Sequence, residues 1–145
     1  MIKIFIVDDS EIHLEGMKSI LKRSDNLTVA ATAQTPNEAK QLLRNEEYDL
    51  AILDISLEEE TDGLDLARFI KATYPKMPII ILSHYKDIHY IIQSLKMQLN
   101  GYLAKDTQAE DLICAIQVSY KEKGSTLAIQ SLTMTSSRHS EVKKI

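Results

Sequence analysis

Cysteine is nearly absent from this chain, because Cys114 is the only one among 145 residues. A single cysteine excludes an internal disulfide and a cysteine-based zinc cluster, so we expect Cys114 to be a small core residue. Long apolar runs are also missing, since none reaches the roughly 18 residues of a membrane-spanning helix. The N-terminal run Ile2–Val7 is interrupted by Lys3 and is too short for the core of a signal peptide. The sequence therefore predicts a cytoplasmic protein that does not contact a membrane.

The chain also lacks an excess of positive charge. Its formal net charge is −4 and its isoelectric point is about 5.6, which argues against a nucleic-acid-binding surface over most of the chain. The content of 44% hydrophobic and 26% charged side chains is that of a globular protein with a sizeable core. We therefore expect one folded domain whose default partner is not nucleic acid.

Short β-branched or aliphatic runs alternate with segments of helical spacing along the chain. The predicted strands are Ile2–Val7, Leu27–Thr32, Leu50–Leu53, Pro78–Leu82 and Asn100–Ala104. The predicted helices run from a cap at Ser10 to Lys22 or Arg23, from the Thr35-Pro36 cap onward, from Gly63 to before Pro75, over Lys86–Met97 and over Ala109–Lys121. In the first helix we expect Ile12, Met17, Ile20 and Leu21 to share the buried face. This alternation predicts an α/β fold with a parallel sheet that is covered on both faces.

Polar side chains follow four of the predicted strands at the point where each strand ends. Asp8 and Asp9 follow the first strand, Asp54 the third, Ser83 the fourth and Lys105 the fifth. Ligands of open parallel sheets bind at this edge. Two carboxylates about 4 Å apart repel each other by roughly 4 kcal/mol at an effective dielectric of 20, so such a site must hold protons or a cation. Hard oxygen ligands favour Mg²⁺, and Mg²⁺ beside an exposed aspartate indicates phosphoryl transfer to that aspartate.

Five motifs together resemble the receiver domain of two-component response regulators. They are "VDD" at residues 7–9, "ILDIS" at 52–56, "DGLDL" at 62–66, "IIILS" at 79–83 and "GYLAKD" at 101–106. The resemblance implies a flavodoxin-like (βα)5 fold, with a doubly wound five-stranded parallel sheet in the strand order 2-1-3-4-5. We expect residues 1–123 to form this domain and residues 124–145 to be a linker or tail.

The resemblance implies that Asp54 accepts a phosphoryl group from a sensor histidine kinase. It also implies a Mg²⁺ site formed by Asp8, Asp9, Asp54 and the backbone carbonyl of Ser56. A domain of this kind is a phosphoacceptor rather than an enzyme that turns over a separate substrate.

Three further residues are switch elements by the same resemblance. Ser83 supplies a hydroxyl that turns toward the phosphoryl group, Lys105 supplies the cation that pairs with it, and Tyr102 changes rotamer in concert. Tyr85 and Ser56 occupy the two variable positions that flank the acceptor, and the resemblance implies that they tune the rate of phosphate loss.

The "GYLAKD" form is similar to the NarL/FixJ branch, whose members carry a LuxR-type helix-turn-helix domain after a linker. The segment "SSRHSEVKKI" resembles the opening of such a domain at Arg138, Glu141 and Val142, although a charged tail explains it equally well. We therefore expect control of transcription through a DNA-binding domain outside this chain, with a homodimer formed on phosphorylation as a further option.

Two segments depart from the family pattern. The loop "ISLEEETDG" carries three consecutive glutamates, Glu58 to Glu60, and one residue more than usual. Gln98 and Leu99 stand where the family usually has Gly-Ala, which questions the packing of the fourth helix against the fifth strand. His13, His84 and His89 show no metal-ligand spacing, and we interpret them as surface residues.

Two other functions stay open from the residues alone. A stand-alone receiver would act by protein contact without a DNA-binding domain. A Mg²⁺-dependent phosphohydrolase of the haloacid dehalogenase type would also use an aspartate nucleophile, but it carries a second acid two residues later, where this chain has Ser56.

Overall fold

Strands and helices alternate along the chain in a computed structural model that describes residues 1–55, 63–83 and 88–122. The strands are β1 Ile2–Val7, β2 Leu27–Ala33, β3 Leu50–Asp54, β4 Ile79–Ser83 and β5 Gly101–Ala104. The helices are α1 Glu11–Leu21, α2 Pro36–Asn45, α3 Gly63–Thr73, α4 Ile88–Lys96 and α5 Ala109–Lys121. The bounds of β1 and α5 are those predicted from the sequence. The predicted start of α4 at Lys86, the loop glutamates and residues 123–145 lie outside the described ranges.

All five strands are parallel and form one sheet in the order β2-β1-β3-β4-β5. This confirms the predicted flavodoxin-like α/β fold with the strand order 2-1-3-4-5. Because all strands run in the same direction, their carboxyl ends lie at one edge of the sheet. Pairs such as Val7 with Leu53 and Ser83 with Ala104 show this register at the ends of neighbouring strands.

Apolar side chains fill both faces of the sheet. On β1, Phe5 and Val7 belong to the core under α2 and α3, whereas Ile4 and Ile6 belong to the core under α1 and α5. Strands buried on both faces read as continuous apolar runs in the sequence. The sheet is therefore a rigid platform for the loops at its edge.

The buried face of α1 differs from the prediction. Leu14, Met17 and Leu21 are buried, while Ile12 is 86% exposed. At 3.6 residues per turn, Ile12 lies roughly 200° around the helix from Leu14 and so points away from the sheet. The prediction that Ile12 belongs to the core is wrong, although the cap at Ser10 is confirmed by the hydrogen bond that its side chain accepts from the His13 N–H.

The prediction that Cys114 is a core residue is also wrong, because its side chain is exposed. The buried positions of α5 are Leu112, Ala115, Ile116 and Ser119. Cys114 lies two residues from both Leu112 and Ile116, which places it on the opposite side of the helix.

The unusual Gln98 ends α4 in a left-handed conformation, with φ of 58°. Its N–H donates to the carbonyl of Leu95 at 3.0 Å, and the Leu99 N–H donates to the carbonyl of Ser94 at 3.1 Å. These two bonds form a Schellman motif, in which the left-handed residue is usually glycine. Leu99 is 1% exposed within the core, so the helix packs normally despite the departure from Gly-Ala.

No helix of the described ranges has both the length and the apolar character needed to cross a membrane.

Candidate functional site

Each predicted site residue that the structure describes lies at the carboxyl edge of the sheet or, for Tyr102, one layer below it. Asp8 follows β1, Asp54 and Ser83 are the last residues of β3 and β4, and Lys105 follows β5. The Lys105 N–H donates to the Ser83 carbonyl at 2.9 Å and extends the pairing of β4 and β5 by one step. The two predicted tuning positions, Ser56 and Tyr85, lie outside the described residues.

Three carboxylates converge at this edge. One ligand oxygen from each of Asp8, Asp9 and Asp54 lies within 4.8 Å of the others. Asp8 and Asp54 are 1% and 3% exposed, whereas Asp9 is exposed to solvent. This set of hard oxygen donors, two buried and one open to water, fits a Mg²⁺ ion that keeps part of its hydration shell.

Lys105 lies between two of these acids. Its Nζ atom is 3.0 Å from Oδ2 of Asp54 and 3.3 Å from Oδ2 of Asp8, and its side chain is 9% exposed. Burial acts to lower the pKa of Lys105, but the hydrogen bonds and charges of Asp54 and Asp8 outweigh it and raise the pKa above its usual value. Lys105 is therefore a fixed cation that offsets part of the repulsion among the carboxylates.

Asp8 accepts hydrogen bonds on both of its oxygens. Oδ1 accepts from the Ser10 N–H at 2.9 Å, and Oδ2 contacts Nδ1 of His13 as well as Lys105. Burial acts to raise the pKa of Asp8, but the hydrogen bonds of His13 and Ser10 and the charges of Lys105 and His13 together lower it. Asp8 is thus held in its ionised form.

His13 is the residue of this edge that the sequence reasoning missed. Its side chain is 26% exposed and contacts a buried carboxylate, so the interpretation of His13 as a plain surface residue is wrong. The spacing places His13 in the first turn of α1, three residues after the Ser10 cap, but it does not show that the imidazole reaches Asp8. His89 is exposed as predicted, and His84 lies outside the described residues.

Ser83 and Tyr102 are 1% and 6% exposed. Ser83 ends β4 in the register next to Asp54, where Asp54 pairs with Leu82. Tyr102 belongs to the core on the same face as Tyr90 and Ile91 of α4. On the β4–β5 side, Lys105 contacts the acidic cluster, Ser83 ends its strand at the same edge, and Tyr102 lies two residues before the end of β5.

Gly63 places the start of α3 directly against the end of β3, which carries Asp54. The Gly63 N–H donates to the Ile55 carbonyl at 2.8 Å, and a Cβ at Gly63 would lie 2.1 Å from the carbonyl oxygen of Asp54. Only a residue without a side chain permits this approach. The glycine at position 63 is therefore a packing requirement of this strand end.

The chain matches the response regulator receiver domain over residues 4–117. It is 33% identical over 116 residues to the transcriptional regulatory protein LnrK of Bacillus subtilis (strain 168), which covers 80% of this chain and 52% of LnrK. It is 32% identical over 131 residues to the oxygen regulatory protein NreC of Staphylococcus haemolyticus, which covers 90% of this chain and 59% of NreC. The chain thus spans a little over half the length of these curated relatives.

Solved structures share the same fold. The isolated receiver domain of RcsB from Salmonella enterica serovar Typhimurium, in the presence of phosphomimetic BeF₃⁻, matches with a TM-score of 0.80 at 22% identity, over 92% of this chain and 97% of that one. A CheY-like receiver domain protein from Methanospirillum hungatei JF-1 matches with a TM-score of 0.76 at 27% identity, over 84% and 95%.

Receiver domains of such regulators are signalling domains. The family match and the strand-end residues favour this class over the phosphohydrolase alternative. This chain belongs to the receiver domain family of two-component response regulators, with relatives in the NarL/LuxR group.

Proposed function

We propose that this domain receives a phosphoryl group from a sensor histidine kinase on Asp54. The observation that carries the proposal is the placement of Asp54 at the sheet edge, 3.0 Å from the Lys105 ammonium and within 4.8 Å of the Asp8 and Asp9 carboxylates. An anionic phosphoryl group needs cations around it during transfer. This edge supplies the Lys105 ammonium directly, and its three carboxylates could hold a metal ion as the second cation.

In the proposed step, an Asp54 carboxylate oxygen attacks the phosphorus of a phosphohistidine. The new bond is O–P, the bond that breaks is N–P, and its electron pair returns to the kinase histidine, which takes up a proton from solvent. The Lys105 ammonium, already beside Oδ2 of Asp54, would pair with a phosphoryl oxygen as negative charge accumulates there.

Asp8, Asp9 and Asp54, together with the backbone carbonyl of Ser56, would hold Mg²⁺. When bound, Mg²⁺ neutralises phosphoryl oxygens and aligns them with the attacking carboxylate. The buried Asp8 would supply a ligand oxygen in a fixed orientation, because both of its oxygens accept hydrogen bonds. The exposed Asp9 would leave the site open to water.

Phosphorylation would then change the structure through Ser83, Lys105 and Tyr102. A shift of a two-state domain from 1:99 to 99:1 requires about 5.5 kcal/mol of differential stabilisation. New hydrogen bonds from the Ser83 hydroxyl and the Lys105 ammonium to the phosphoryl oxygens are charge-assisted and are of the strength that such a shift requires. Tyr102, which lies in the core next to β4, would repack with them.

The proposed output is a changed contact surface that controls transcription. LnrK is named as a transcriptional regulatory protein, which supports an output through a LuxR-type DNA-binding domain, with homodimer formation on phosphorylation. In this proposal residues 1–123 form the receiver, residues 124–145 lead toward the output, and Tyr85 and Ser56 tune the lifetime of the phosphorylated state.

Incubation with Mg²⁺ and acetyl phosphate, followed by intact mass measurement, tests the acceptor assignment. We expect the wild type to gain one phosphoryl group and Asp54→Asn to gain none. The matched control is Asp65→Asn, because Asp65 is an exposed aspartate of α3 that forms an ion pair with Arg68. Phosphate uptake by wild type and Asp54→Asn alike would contradict the assignment, as would a loss in Asp65→Asn of the same size as in Asp54→Asn.

A further inference from the structure

We propose that His13 is a positioning residue for the cation site, holding Asp8 in the orientation from which the acidic cluster binds a divalent metal ion. This inference rests on the proposed function, because it concerns the site that serves phosphoryl transfer. It adds a residue outside the acidic cluster and makes the cation affinity of the domain depend on it.

A closed ring of hydrogen bonds connects His13 to Asp8. The Ser10 N–H donates to Oδ1 of Asp8 at 2.9 Å, and the Ser10 hydroxyl accepts from the His13 N–H at 3.2 Å. The imidazole Nδ1 of His13 in turn contacts Oδ2 of Asp8. The cap that starts α1 therefore also fixes the imidazole over the carboxylate.

Which group donates in the hydrogen bond between the His13 imidazole and Asp8 follows from the chemistry of the carboxylate. A carboxylate only accepts hydrogen bonds, so the nitrogen that contacts it carries the hydrogen and donates. Besides the Lys105 ammonium, Asp8 consequently has a donor from the start of α1 on each oxygen, the Ser10 N–H on Oδ1 and the His13 Nδ1–H on Oδ2. Two donors at two oxygens fix the plane of the carboxylate as well as its position.

Lys105 does not replace His13 in this role. Its Nζ atom is 3.3 Å from Oδ2 of Asp8 but 3.0 Å from Oδ2 of Asp54, so it is shared between two acids. Under the proposed function Lys105 turns to the phosphoryl group, and His13 is then the donor that stays on Oδ2 of Asp8. His13 thus keeps Asp8 oriented in both states of the site.

Donors that orient a metal-binding carboxylate typically change metal affinity by 10-fold to 100-fold when they are removed. His13 is 26% exposed at the helix surface, so its replacement leaves the apolar core intact. We therefore expect an effect on cation binding that is separate from any effect on folding.

The experiment compares His13→Leu and His13→Asn in the full chain. Leucine fills similar space but has no hydrogen-bond donor. The asparagine amide nitrogen is as many bonds from Cα as Nδ1 of histidine, so asparagine can still donate to Asp8 although it has no ring. The readouts are the Mg²⁺ dissociation constant from calorimetry and the Mn²⁺ dissociation constant from the paramagnetic resonance signal of free ion. His89→Leu is the matched control, because His89 is an exposed histidine of another helix.

We expect His13→Leu to weaken binding of both ions about 10-fold, with His13→Asn and His89→Leu close to wild type. Equal or tighter binding by His13→Leu would overturn the proposal, because the ring would then only compete with the ion. Binding by His13→Asn as weak as by His13→Leu would also overturn it, since a restored donor would have no effect. Absence of Mg²⁺ binding by the wild type itself would overturn the cation site of the proposed function and the role of His13 with it.

Discussion

Substitution of Gly63 by alanine is predicted to damage the acceptor strand. A Cβ at this position would lie 2.1 Å from the Asp54 carbonyl oxygen, 2.7 Å from Cα of Ile55 and 2.9 Å from the Asp54 carbonyl carbon. All three are backbone atoms of the strand end that carries the acceptor, so no side-chain rotation can relieve the contact. Either α3 moves away from β3 by about 1 Å or the end of β3 moves with it.

The size of the effect follows from this geometry. Overpacking of a close-packed interior costs typically 1–3 kcal/mol, and three simultaneous backbone contacts place Gly63→Ala at about 3 kcal/mol. For a domain of this size one kcal/mol changes the melting temperature by roughly 3 °C. We therefore expect Tm to fall by about 10 °C.

Gly16→Ala is the matched control, because it makes the same chemical change inside α1 where a Cβ meets nothing within 4 Å. Glycine inside a helix is less stable than alanine by roughly 0.5–1 kcal/mol, so this variant should melt about 2–3 °C higher than wild type. Thermal unfolding followed by circular dichroism measures both variants, and the acetyl phosphate assay adds the effect on Asp54. A Gly63→Ala variant that melts within the error of wild type, or above it, would refute the reasoning.

Two further substitutions test the helix end and the fixed cation. Gln98→Gly should raise the free energy of unfolding by about 0.5–1 kcal/mol, because glycine adopts the left-handed conformation without strain; an unchanged or lower value in urea unfolding would contradict this. Lys105→Met should lower stability by about 3 kcal/mol in the absence of divalent ions, since it leaves buried carboxylates without their cation, and added Mg²⁺ should raise its Tm more than that of wild type. Asp54 and Asp8 raise the pKa of Lys105 above its ordinary value of 10.5, so the stability difference between wild type and Lys105→Met should stay constant from neutral pH to 10.5 and should shrink as the pH rises further; a difference that already shrinks between neutral pH and 10.5 would oppose the assignment.

Much of the fold could be predicted from the sequence because the sheet is buried on both faces. Strands of that kind are continuous apolar runs, so β1 was predicted with its observed bounds, and α5 was likewise predicted as Ala109–Lys121. The strand ends were equally clear, since polar site residues follow four of the five runs at the same edge of the sheet. Asp8, Asp54, Ser83 and Lys105 are therefore found at the predicted edge.

The errors concern which side of a helix faces the sheet. Ile12 and Cys114 are small or apolar residues that sit two positions from a buried neighbour, and composition alone does not tell the two faces apart. The observed buried positions follow the spacing of three and four residues, as in Leu14, Met17 and Leu21. In α1, counting positions at 3.6 residues per turn from the cap at Ser10 distinguishes the buried face from the exposed face.

The contact of His13 with Asp8 could not be predicted from residue type, because a histidine near a helix start is usually solvated. It depends on the angle at which α1 leaves the strand end, and the burial of Leu14, Met17 and Leu21 against the sheet sets that angle. The same holds for Gly63, whose contact with the Asp54 carbonyl exists only because α3 packs close to β3.

The charges of the site explain why these packing details affect its chemistry. Three carboxylates with one lysine leave two negative charges at the edge, and at about 4 Å each uncompensated pair costs roughly 4 kcal/mol at an effective dielectric of 20. Lys105, His13 and the Ser10 amide keep this arrangement folded by binding the two buried acids. Asp9 stays exposed, so a cation or a proton from solvent can relieve the remaining repulsion. The fold therefore holds beside Asp54 an acidic cluster that could bind a metal ion, and we expect a change that loosens the buried acids to weaken cation binding before it unfolds the domain.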